Sequence, residues 1–127
     1  MGEKSPSLRI LIVDDEPLIR WSLAETLVES GHSVAEAGDG ASAIGALGAE
    51  EGVDVVVLDY RLPDSNDLSL LRTIRRISPG SAVIMMTAFG TPEMARQAIA
   101  LGAWRVVAKP FEIHEMADLV AQAAAVR

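Results

Sequence analysis

The sequence has 127 residues, of which half are apolar and only 4% aromatic, which is material for one domain whose core must be mainly Val, Ile, Leu, Ala and Met. A formal charge of -7 excludes a nucleic-acid surface of the usual basic kind, so no direct nucleic-acid partner is expected. The lack of cysteine excludes a disulfide framework and a thiolate metal site, and it fits a reducing cytosol, so a cytoplasmic location is expected.

No apolar run approaches the roughly 18–20 residues that cross a membrane, so none of the chain is expected to do so. Residues 1–7 are polar and read as a flexible leader ahead of a single domain over residues 8–127. The first apolar run, Leu8–Val13, reads as a strand. Pro17 then stands in the first turn of a helix marked by Leu18, Trp21, Leu23, Leu27 and Val28, with Gly31 as its stop. Ser33–Ala37 is a more polar strand suited to a sheet edge. Asp39-Gly40 turns the chain into a small-residue helix over Ala41–Ala49. Val53–Leu58 is the third strand, and Leu68, Leu71, Ile74 and Ile77 mark a helix ended by Ser78-Pro79-Gly80. Ala82–Met86 is the fourth strand. Thr91 then caps a helix with Pro92 at its first position, and that helix closes at Gly102. Trp104–Ala108 and the helix Ile113–Val126, with Ile113, Met116, Leu119 and Val120 in register, complete the order.

Strict alternation of strands and helices predicts an α/β fold, a parallel sheet covered on both faces. Four of the runs are nearly continuous in apolar residues, as strands buried on both sides require. In such a sheet all strand carboxyl ends share one edge, where ligand sites form. The runs end at Asp14-Asp15, Asp59, Thr87 and Lys109. Three carboxylates, a hydroxyl and an ammonium are thereby expected to converge. Clustered carboxylates repel, and a hard divalent cation such as Mg²⁺ relieves that repulsion. A carboxylate can also attack phosphorus to form an aspartyl-phosphate, with Lys109 and Thr87 binding phosphoryl oxygens. Taken alone, Asp14-Asp15 reads more simply as a helix cap. Four strand ends that all carry suitable chemistry favour the phosphoryl reading.

With these residues in place, the chain resembles the response-regulator receiver family. The likeness is carried by Ile10-Leu11-Ile12-Val13-Asp14-Asp15-Glu16-Pro17, by Val57-Leu58-Asp59-Tyr60-Arg61-Leu62-Pro63-Asp64, by Met86-Thr87-Ala88-Phe89-Gly90, and by Gly102-Ala103 through Lys109-Pro110-Phe111. It implies a (βα)5 doubly wound five-stranded sheet of flavodoxin-like form. It also implies Mg²⁺-dependent transfer from the phosphohistidine of a sensor histidine kinase to Asp59. Asp14, Asp15, Asp59 and the backbone carbonyl of Arg61 would hold the metal, with Asp15 the more direct ligand. Thr87 and Lys109 would hold the phosphoryl group, and the Lys109-Pro110 bond is expected to be cis. The domain would be a switch that catalyses only its own phosphorylation and dephosphorylation. Its output surface, and the face for a homodimer, would be the fourth helix, fifth strand and fifth helix. Ile19-Arg20-Trp21 and Thr87-Ala88-Phe89-Gly90-Thr91 look most like nitrogen-regulator receivers, which precede ATPase and DNA-binding modules. Neither module stands in this sequence, which reads either as a domain cut from such a regulator or as a stand-alone one.

Two positions depart from the family pattern. Val106 stands three residues before Lys109, where relatives carry Tyr or Phe, and Phe89 or Trp104 is expected to supply part of the switch by packing on its face. Asp67 replaces a common Gly and reads as a cap of the third helix. Arg72, Arg75 and Arg76 share a helical face that reads as solvated, and His32 and His114 read as surface residues. The competing functions fare less well. A phosphohydrolase would need a second acid where Arg61 stands, and a nucleotide-binding domain would need a Gly-rich loop after the first strand. A receiver-like interaction module that works without phosphorylation remains the alternative, sustained by Val106.

Overall fold

The computed structural model describes residues 7–49 and 52–126. The leader read at residues 1–7 lies outside the described residues except for Ser7. Ten elements follow in strict alternation: β1 Arg9–Val13, α1 Pro17–Glu29, β2 Ser33–Ala37, α2 Gly40–Ala49, β3 Val55–Asp59, α3 Ser69–Ile77, β4 Ala82–Thr87, α4 Pro92–Ala100, β5 Arg105–Ala108 and α5 Ile113–Val126. The strands form one parallel sheet in the order β2-β1-β3-β4-β5. The polar strand β2 is an edge, as its composition predicts. Strand order reverses between β1 and β3, which makes that junction the switch point.

The period of two along each strand divides the core into two layers. Val56 and Leu58 of β3, with Leu11, Val13, Val83 and Met85, face Ala43 of α2, Leu70, Leu71 and Ile74 of α3, and Ala98 of α4. Val55 and Val57, with Ile10, Ile12, Ile84 and Met86, face Leu23 and Leu27 of α1 and Met116, Val120 and Ala123 of α5. The central strands β3 and β4 are buried along their whole length. α2, α3 and α4 thus share one face and α1 the other, as one crossover hand combined with a reversal after β2 requires, and α5, which follows the last strand, packs beside α1.

Helix ends follow local chemistry. Thr91 Oγ1 accepts the Met94 N–H at 3.1 Å, and Pro92 opens α4. α1 and α4 end alike, on glycines at φ +97° and +106°. There His32 N–H reaches the Leu27 carbonyl at 3.2 Å, and Ala103 N–H reaches that of Ala98 at 3.0 Å. Asp67 Oδ1 accepts the Ser69 N–H at 2.8 Å, so it serves the start of α3, and no described non-glycine residue has positive φ.

The apolar stripe expected on α1 is only partly core. Leu23 and Leu27 are buried, but Leu18 and Trp21 are 73% and 59% exposed, and Val28 is also exposed. The stripe is wider than the surface that the sheet and α5 cover. Arg75 is not simply solvated: its guanidinium donates to the carbonyls of Pro79 and Ser81 at 3.2 and 2.6 Å.

Candidate functional site

Asp14 follows β1, Asp59 closes β3, Thr87 closes β4 and Lys109 follows β5. The ladder continues past the ends of β3 and β5 onto β4, since Lys109 N–H donates to the Thr87 carbonyl at 2.8 Å and Tyr60 N–H to that of Met86 at 2.8 Å. Those bonds hold the strand ends level. They bring together side chains that lie far apart in sequence. The Lys109 ammonium donates to Asp14 Oδ2 at 2.9 Å, to Asp59 Oδ2 at 3.1 Å and to Glu16 Oε1 at 3.3 Å. Its peptide bond to Pro110 is cis.

Asp14, Asp59 and Thr87 are buried, while Asp15 is exposed beside them. Asp14 combines both readings of the acidic pair: Oδ1 accepts the Glu16 N–H at 2.8 Å at the start of α1, while Oδ2 takes Lys109. Burial, and then the facing charge of Asp14, push the Asp59 carboxyl up to about 6, although Lys109 draws it down. Burial works against the Lys109 ammonium, yet bonds to Asp14 and Asp59 outweigh it and hold that group above the ordinary lysine range.

Four carboxylates, those of Asp14, Asp15, Glu16 and Asp59, thus surround or adjoin one ammonium. Oxygens of Asp14, Asp15 and Asp59 can all lie within 4.8 Å of one another, and this acidic pocket fits a divalent cation. It opens into a cleft of about 320 Å³ lined also by Arg61, Thr87, Ala88 and Phe89. Arg61 N–H approaches Asp59 Oδ1 at 3.4 Å, and its guanidinium lies 5.5 Å from the Phe89 ring centre. Thr87 Oγ1 accepts the Phe89 N–H at 3.2 Å, which leaves the hydroxyl proton to donate elsewhere. A β-carbon on Gly90 would stand 2.6 Å from Thr87 Cγ2, so only glycine admits this threonine position.

All six expected site residues, Asp14, Asp15, Asp59, Arg61, Thr87 and Lys109, meet at this edge. The reading missed Glu16, whose partnership with Lys109 was foreshadowed only by the third acid of the run. It also missed Arg20, which donates to the Asp14 carbonyl at 2.6 Å and pairs with Glu36 at 3.1 Å. Neither expected aromatic packs on the face of Val106. Phe89 is 77% exposed, whereas Trp104 packs in the α1–α5 layer beneath the Arg105 guanidinium, and Val106 packs in the opposite layer.

The chain belongs to the response-regulator receiver family: the model described as "Response regulator receiver domain" matches residues 10–121. A receiver is a signalling domain of two-component systems. The sporulation initiation phosphotransferase F of Bacillus subtilis is 36% identical over 112 residues, 88% of this chain and 90% of that protein. The DNA-binding transcriptional regulator NtrC of Escherichia coli is 36% identical over 90% of this chain but only 24% of its own length. Nitrogen regulators are thus among the receivers it is similar to. The chain spans 24 to 45% of four of the first five curated relatives it matches. Among solved structures, a response regulator of Burkholderia pseudomallei, crystallised with a phosphorylated aspartic acid, a calcium ion and citrate, is 26% identical. The match covers 94% of this chain and 69% of that one, with a TM-score of 0.83.

Proposed function

We propose that residues 8–127 form a receiver that takes a phosphoryl group on Asp59 from the phosphohistidine of a sensor histidine kinase and so switches an output surface. The observation that carries this reading is the Lys109 ammonium bridging Asp14 and Asp59 at 2.9 and 3.1 Å. An Asp59 carboxylate oxygen attacks phosphorus, the phosphorus–nitrogen bond breaks, and its electron pair returns to the imidazole. Lys109 turns from the carboxylates to the phosphoryl oxygens, and the free Thr87 proton donates to another. Asp14, Asp15, Asp59 and the Arg61 carbonyl would hold Mg²⁺. Bound there, the ion offsets charge on the transferring group. The phosphorylated aspartate and calcium ion named for the Burkholderia relative support both parts.

The same residues catalyse loss of the phosphoryl group to water, and no separate substrate is turned over. Activation is a population shift that reshapes the α4–β5–α5 face, where a homodimer forms. Transcriptional output through a domain beyond this sequence follows the NtrC relatives. No described helix is long and apolar enough to cross a membrane, and a cytoplasmic location is the reading that suits a receiver meeting its kinase there. The test is intact mass after incubation with acetyl phosphate. One phosphoryl group is expected on the wild type with Mg²⁺, and none on Asp59→Asn or without the metal. Equal labelling of the mutant would remove Asp59 from its role.

A further inference from the structure

We infer that Asp64 is a positioning residue for the metal seat, because it ties the loop that follows Asp59 to the start of α2. The inference rests on the seat proposed above. Residues 60–68 join β3 to α3 and carry Arg61. Within this loop Leu62 is buried, and it exchanges two backbone bonds with Ser65, at 2.7 and 3.2 Å. Pro63 and Asp64 form the tip of the turn so closed. From that tip Asp64 reaches across to another element. Its Oδ1 accepts the Gly40 N–H at 2.7 Å and its Oδ2 the Ala41 N–H at 3.0 Å.

These N–H groups belong to the first turn of α2, where backbone donors lack helical partners and the helix dipole favours an anion. α2 already has a local cap, since Asp39 Oδ1 accepts the Ser42 N–H at 2.7 Å. Asp64 is therefore a second carboxylate, brought from the loop and placed on different donors. Gly40 makes the approach close, because a β-carbon there would meet Asp64 Oδ1 at 3.1 Å and Leu70 Cδ2 at 3.3 Å. The loop is consequently held at Asp59 by β3, at Leu62 by the core and at Asp64 by α2. Arg61 sits between the first two anchors. Mg²⁺ demands near-ideal octahedral geometry, so a carbonyl ligand on a loosened loop binds it less well. Loss of groups that orient metal ligands commonly costs about 10- to 100-fold in affinity. Asp64 acts through two peptide units, and roughly three- to tenfold is expected.

The experiment is calorimetric titration of metal-free protein with Mg²⁺ alone, alongside a thermal melt. It compares wild type, Asp64→Ala, Asp64→Asn and Asp39→Ala. Asp64→Ala should weaken binding by roughly three- to tenfold, and Asp64→Asn, which keeps one oxygen acceptor, by less. Asp39→Ala should lower the melting temperature and leave Mg²⁺ affinity unchanged, since it removes the other cap of α2 without touching the loop. A wild-type affinity in both Asp64 variants, with only the melt lowered, would overturn the inference and leave Asp64 as a helix cap. Equal weakening by Asp39→Ala would overturn it too. If Asp64→Ala does not fold, Asp64→Asn against Asp39→Ala decides the question. A wild type that binds no Mg²⁺ overturns the metal seat itself, and this inference with it.

Discussion

β3 has an aspartate just before its first residue and another as its last, and the two live in different chemistry. Asp54 extends the ladder at the amino end. Its N–H donates to the Arg9 carbonyl at 2.8 Å, its carbonyl accepts the Ala82 N–H at 2.9 Å, and its Oδ2 accepts the Arg9 N–H at 2.8 Å. Beside it, His32 Nδ1 accepts the Leu8 N–H at 3.1 Å. At the carboxyl end Asp59 faces Asp14 and shares a lysine with it. Strand polarity explains the contrast. Parallel strands leave N–H donors free at one edge, and these satisfy carboxylates and imidazoles as they stand. The opposite edge offers carbonyls, which cannot bond to a carboxylate. Acids there remain available to cations: Lys109 comes to the Asp14 and Asp59 carboxylates, while Arg20 takes the Asp14 carbonyl.

The comparison predicts opposite responses to removing charge at the two ends. The largest effect is expected at Asp59 in metal-free protein. Its folded carboxyl is raised from 3.8 to about 6, so the folded state keeps a proton that the unfolded chain has already lost. Stability at this group therefore falls as pH rises through that window, and the penalty is complete above it. Asp59→Asn should then be more stable than wild type at pH 7.5 by about 3 kcal/mol. The gain should vanish near pH 4, as read by urea denaturation with chelator present. A mutant less stable at pH 7.5 would refute a strained carboxylate.

Asp54→Ala should act in the other direction and more weakly. It leaves the Arg9 N–H short of an acceptor and should cost about 1 kcal/mol. No change in Mg²⁺ affinity is expected on titration, and a change would break the division between the two edges. The smallest effect is expected at His32. Burial lowers its pKa below 6.5, although Asp54 opposes this. As pH falls, the unfolded chain takes up the proton first, so the stability His32 contributes is present above its unfolded value and is lost on acidification. His32→Asn keeps an acceptor for Leu8 and should flatten the wild-type fall in melting temperature below pH 6.5. An unchanged slope would place the acid sensitivity elsewhere.

The order of elements and the expected site were legible because both depend on local sequence. Apolar runs with strand-like continuity end in polar residues, and a parallel sheet gathers those ends without further information. Thr91-Pro92 and Gly102 bounded α4 because caps and stops are set by one or two residues. The exposure of Leu18, Trp21 and Val28 was not legible, for the converse reason. Helical periodicity marks a stripe, but only the width of the surface packed against α1 determines how much of it is covered. The aromatics expected beside Val106 failed in the same way, since Trp104 fell in the opposite core layer.

By itself the sequence determined the alternation of strands and helices, the edge position of β2, and that Asp14, Asp15, Asp59, Thr87 and Lys109 lie at the carboxyl edge. Each follows from backbone periodicity, from composition and from where an apolar run stops, whereas Arg61 was added by the family resemblance. Only tertiary structure decided that Glu16 joins Lys109, that Arg20 holds the Asp14 carbonyl, and that Asp64 ties its loop to α2. These contacts join elements whose spacing and orientation come from packing, and no local propensity encodes a distance between two loops.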